Sequence, residues 1–123
     1  MNRSIQELLS EAVAHLDAMH RHLERGAIGD ETVADAVSLR LAATIETLHR
    51  GAPELTTALF GDDWPVIWGM RNRIAHAWID IQTVRVTVDE DLPPVEAALR
   101  ALLQQKRDAV HEADQREVDQ GGA

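Results

Sequence analysis

The chain has 123 residues, enough for one domain with one modest core. Hydrophobic residues make up 45%, aromatics only 3%, and cysteine is absent, which excludes a disulfide scaffold and a thiolate zinc site and favours helices over a β-sandwich. Twelve basic against 21 acidic residues give a net charge of −9, which excludes a general nucleic-acid binder; any contact with phosphates must be local.

"MNRSIQELLSEA" lacks the basic-then-apolar layout of a signal peptide, and no apolar run approaches a membrane span. The expectation is a soluble, cytoplasmic protein. Ser4 and Glu7 have the spacing of a capping box. Ile5, Leu8, Leu9, Ala12, Leu16, Met19 and Leu23 then follow the helical period, and Gly26 is a natural stop. Asp30 suits the N-cap of a second helix, with Val33, Val37, Leu41, Ile45 and Leu48 as its apolar stripe and Gly51 at its end. Pro53 opens a short helix through Leu59, broken by Gly61.

The next segment, from Trp64 to Trp78, reads as a helix capped by Asp62 or Asp63. At about 100° per residue, Met70, Ile74 and Trp78 share a core stripe with Ile67. Asn72 and His76 share a face roughly opposite that stripe, and Arg73 falls at its edge. Arg71 sits beside the stripe, where its stem can lie along apolar surface while the guanidinium reaches outwards.

Residues 79 to 91 read two ways. Val84, Val86 and Val88 alternate like a strand, while Ile81, Val84 and Val88 also fit one helical face with Asp80 as N-cap. A single strand would have nothing to pair with, which favours a short helix. A last long helix starts near Pro93 and Pro94, with Val95, Leu99, Leu102, Leu103 and Val110 towards the core, and the polar end of the chain frays. The predicted fold is all-α: an antiparallel four-helix bundle with short extra helices.

The polar groups of the fourth helix form a pattern. Arg71-Asn72-Arg73-Ile74-Ala75-His76 resembles the marker of the HEPN superfamily, an Arg followed by four to six residues and a His, often with a polar residue after the Arg. The flanks "WGMRN", "WID" and "DLPP" narrow the resemblance to the HepT-like toxins, over about residues 4 to 110. The domain would then span 1–115, with 116–123 as a disordered polar tail.

The resemblance implies a metal-independent ribonuclease that works as a homodimer, two markers converging on one cleft. His76 would be the general acid or base acting on the RNA 2′-hydroxyl and the leaving oxygen. Arg71 would hold the scissile phosphate, Asn72 would position His76 or the phosphate, and Arg73 would add RNA-binding charge. The chemistry is reasonable in itself. Histidine titrates near neutral pH, with an unperturbed pKa of about 6.5, and a guanidinium fork matches two phosphate oxygens. RNA carries its own nucleophile, so the expectation is no cofactor and no metal.

The implied partners are a second copy of the chain, RNA, and a minimal nucleotidyltransferase antitoxin that silences such toxins by adding AMP to a tyrosine two residues after the His. Here that position is Trp78, and the chain has no tyrosine. Silencing would have to come from binding, or from modification of another hydroxyl such as Thr83. The alternative reading is a non-catalytic HEPN-type helical dimer that binds a nucleotidyltransferase or a nucleotide. His15, His20 and His22, with Glu11 and Glu24 nearby, match no common metal spacing.

Overall fold

A computed structural model describes residues 4–51, 53–75 and 81–121, without the side chains of 53, 54, 73–75, 81 and 83. Among the described residues every regular element is helical. Helix α1 spans Ile5–Arg25, α2 Glu31–Arg50, α3 Pro53–Phe60, α4 Trp64–Ala75, α5 Ile81–Val86 and α6 Leu92–Gly121.

The caps expected at Ser4 and Asp30 are in place, while the one expected at Asp80 lies outside the described residues. Ser4 Oγ accepts from the Glu7 amide at 3.1 Å. Asp30 accepts from the amides of Thr32 and Val33 at 2.8 and 3.3 Å. Each bond satisfies a donor that the first turn of a helix leaves without a partner. Gly61 has φ +50°, a left-handed conformation that costs glycine nothing. It opens a 3₁₀ turn, Gly61–Asp63, that re-aims the chain from α3 into α4.

Helix α1 packs along α2 and α6, and α4 packs on α2. The central core gathers Leu9, Leu16 and Met19 of α1, Val37, Leu41 and Leu48 of α2, Val84 of α5, and Leu99 and Leu103 of α6. A second, smaller cluster joins Ile45 of α2 to Ile67 and Met70 of α4, with Trp64, Trp68 and Phe60 packed at its margin. This cluster fixes α4 against α2, and so sets where the outlying groups of α4 can reach. Polar groups clasp α1 to α6: Glu96 meets His20 at 2.9 Å and Arg100 at 2.9 Å, and Arg100 reaches Asp17 at 2.6 Å.

From Ile81 onwards the ambiguous stretch is helical, with Val84 buried, Val88 packed on the core and Val86 45% exposed, as a helical face requires and a strand alternation does not. The last helix does not start afresh at the prolines. A wide π turn, Thr87–Asp91, carries α5 straight into α6. Pro93 and Pro94 lack an N–H, and their rings would crowd the carbonyls of Asp89 and Glu90 in a regular helix; a wide turn there relieves both. Finally, α6 continues to Gly121, where the sequence suggested a disordered tail from 116. Beyond Leu103 its residues are exposed, Val110 included, and pairs such as Gln104–Asp108 at 2.8 Å and Gln115–Asp119 at 3.2 Å run along its surface.

Candidate functional site

Trp64, Trp68, Arg71 and Asn72 recur at i, i+4, i+7 and i+8 along α4, so they share one side of the helix. Glu46, His49 and Arg50 recur at i, i+3 and i+4 along α2. The Ile45–Ile67–Met70 cluster brings these two sets together.

Arg71 is the hub. One terminal nitrogen donates to Glu46 of α2. The other donates to the amide oxygen of Asn72 at 3.2 Å. The guanidinium carbon lies 5.2 Å from the centre of the Trp68 ring, where the negative face of the indole attracts a cation. Its Nε is buried and has no hydrogen-bond partner among the described residues. The sequence suggested that this guanidinium reaches outwards. Instead it turns across to α2, because Glu46 and the indole offer it partners there, and the side chain is only 27% exposed.

A run of rings leads away from this hub. Trp68 stacks on His49 with centroids 4.0 Å apart and planes inclined 23°. Trp64 lies 6.4 Å from both Trp68 and His49, and Phe60 lies 5.9 Å from Trp64. His49 itself is exposed. Beside it, Arg50 reaches Glu11 at 3.5 Å and Thr47 at 3.1 Å.

Of the residues expected from sequence, Arg71 and Asn72 are in direct contact. His76, Trp78 and the side chain of Arg73 lie outside what is described, so their distances to Arg71 are not part of this geometry. Ile67 and Met70 are buried as the core stripe required, at 5% and 6% exposure. Two of the three histidines of α1 have other partners: His15 Nδ1 lies 3.1 Å from Arg40, and His20 pairs with Glu96. A shallow groove of about 330 Å³ on another side of α4 is lined by Val66, Met70 and Val95 and rimmed by Asp63, Glu90 and Asp91. That rim has the wrong sign for phosphate.

Glu46 and His49 were missed in the sequence. Their signal was present, as a polar i, i+3, i+4 set near the end of α2. It could not be tied to Arg71 before α2 and α4 were known to be neighbours.

A family profile described as "Ribonuclease HepT-like" matches residues 6–102. The chain belongs to the HepT-like ribonuclease family. The match takes in the Arg71–His76 segment and everything the aromatic run and Glu46 contribute. It ends just before Leu103, the last buried residue of α6, so the exposed part of this HepT-like chain's last helix lies outside the matched region. No match was found among curated proteins or solved structures. Among the described residues no helix is long and apolar enough to cross a membrane.

Proposed function

We propose that this HepT-like protein is a metal-independent endoribonuclease toxin of a toxin–antitoxin pair, built on an antiparallel four-helix bundle over residues 1–115 that works as a homodimer. The observation that carries the reading is the Arg71 hub: a guanidinium hydrogen-bonded to Asn72, set over an indole, in the segment that ends in His76.

The chemistry follows from the residue types. The 2′-oxygen of the RNA attacks the adjacent phosphorus as a base removes its proton. The bond from phosphorus to the 5′-oxygen breaks, and an acid returns a proton to that oxygen. His76 from each of two protomers fills the two proton-transfer roles. Arg71 faces the phosphate as its negative charge grows, and Arg73 adds attraction. Arg71 has five N–H donors, and the bonds to Glu46 and Asn72 use two of them. A phosphate can therefore be taken up at the same guanidinium, with Glu46 released or retained.

A dimer doubles a set that is thin in one chain and concentrates positive charge against the overall −9. Val66 on α4, 64% exposed, is an apolar position that a second copy could cover. Other proposed partners are the RNA substrate and a nucleotidyltransferase antitoxin, which would act by covering the site.

The deciding experiment is cleavage of RNA in a chelator, with the intact protein beside His76→Ala. Cleavage by the first and none by the second supports the ribonuclease. No cleavage by either leaves the non-catalytic binding module as the better account.

A further inference from the structure

We infer that the His49–Trp68 pair is a nucleobase-stacking subsite for single-stranded RNA, next to the Arg71 guanidinium. The inference rests on the ribonuclease reading and deepens it by assigning what holds the nucleotide beside the phosphate at Arg71.

Three observations lead there. First, His49 is exposed, yet its ring stacks on Trp68, with centroids 4.0 Å apart and planes inclined 23°. One face of the imidazole is therefore backed by indole, while the residue as a whole stays exposed. A flat, pre-oriented and exposed ring is what a base needs, because every base has a π-face and little ordering entropy is left to lose. Secondly, the same indole carries the Arg71 guanidinium at 5.2 Å. A cation for phosphate and a ring for a base thus share one support, as backbone and base of a nucleotide require. Thirdly, the rings continue. Trp64 lies 6.4 Å from His49 with planes only 8° apart, and Phe60 follows. The run stiffens the platform and holds His49 in plane.

The occupant follows from the chemistry. Ribonuclease attack by a 2′-oxygen needs a flexible, unpaired strand, and unpaired bases are the ones that can splay out onto aromatic side chains. A duplex would not present a base to His49. Stacking is tolerant of sequence, so the subsite accepts any base and favours purines for their larger face.

The test uses the full chain and RNA oligomers of adenosine and of uridine whose 2′-oxygens are methylated, so that they bind without being cut. Affinity is read by anisotropy, beside cleavage of the unmethylated oligomers. His49→Ala should weaken binding of the methylated oligomers by about five-fold to a hundred-fold. His49→Phe, which keeps a flat ring and removes the nitrogens, should retain most of the affinity and the cleavage. An oligomer lacking its bases should bind the wild type and His49→Ala equally. The proposal is overturned if His49→Ala binds like the wild type while the wild type cuts RNA. It is also overturned if His49→Phe is as weak as His49→Ala, or loses cleavage as His76→Ala does, since His49 would then act through its nitrogens. If the wild type neither cuts RNA nor binds the oligomers, the ribonuclease reading fails, and the subsite with it.

Discussion

Arg71 on α4 donates to Glu46 on α2, so the guanidinium of the HepT-like marker is already held by a carboxylate within its own chain. The pair is partly exposed, 27% and 45% for the two side chains, and such pairs contribute little to stability, about 0–1 kcal/mol. Its larger effect is on the local field. Glu46→Gln keeps a hydrogen-bonding oxygen and removes the negative charge. The variant should melt close to the wild type and bind RNA more tightly at low salt, with a steeper fall as salt is raised. Binding isotherms at several salt concentrations read this. An unchanged salt slope would mean that Glu46 does not compete with phosphate for Arg71.

Arg71→Ala should lower cleavage by about a hundred-fold or more, the scale seen when one charge-stabilising donor is removed. Arg71→Lys should recover only part of this, because an ammonium lacks the planar fork. His76→Ala should be inactive. Expressed without a partner, the wild type should slow growth, and both alanine variants should relieve it while keeping their helical circular dichroism. Equal toxicity from parent and variants would remove Arg71 and His76 from the catalytic roles.

The fold was legible wherever a helix stripe met a clear stop. Leu9, Leu16, Val37, Leu41 and Leu99 are buried as their spacing required, and Ser4 and Asp30 cap as their residue types required. Two things were not legible. The π turn at Thr87–Asp91 depends on how two prolines are fitted into a continuing helix, and the sequence alone equally allowed a break. The direction of Arg71 depends on Glu46, which lies 25 residues away along the chain. A helical wheel of α4 knows nothing of the side chains on its neighbour. The Arg71–His76 pattern is local, so it can be read from the chain without its neighbours.

In solution the protein should be a dimer. One chain offers one marker, and both proton transfers need a group of their own. Light scattering at micromolar concentration should give twice the chain mass. A monomer across that range, still active in cleavage, would reject the composite cleft.

Acid should destabilise the fold through His15. Burial and the neighbouring Arg40 push its pKa below the ordinary value of 6.5, against a weaker opposing pull from Glu11. The folded state thus binds fewer protons than the unfolded state just below that value. The contribution to stability is complete above pH 6.5 and is lost as pH falls through the lowered pKa. The contact with Arg40 at 3.1 Å agrees in direction, since a protonated ring could no longer accept there. His15→Gln should flatten the melting temperature against pH on the acid side of neutrality. A profile identical to the parent's would place the acid sensitivity elsewhere.

Regulation should differ from the tyrosine silencing that the sequence resemblance implies. Trp78 stands at that position, and indole has no hydroxyl to accept AMP. A cognate nucleotidyltransferase should therefore neutralise this protein by covering the Arg71–His76 segment. The net charge of −9 suits a basic antitoxin surface, and attraction of that kind weakens with salt. Co-expression of the pair with ATP present, followed by intact-mass measurement, separates the possibilities. The expected result is an unmodified mass, absent ribonuclease activity, and activity restored when high salt separates the two proteins. A stoichiometric gain of AMP on any residue, Thr83 included, would show that modification, not coverage of the site, does the silencing.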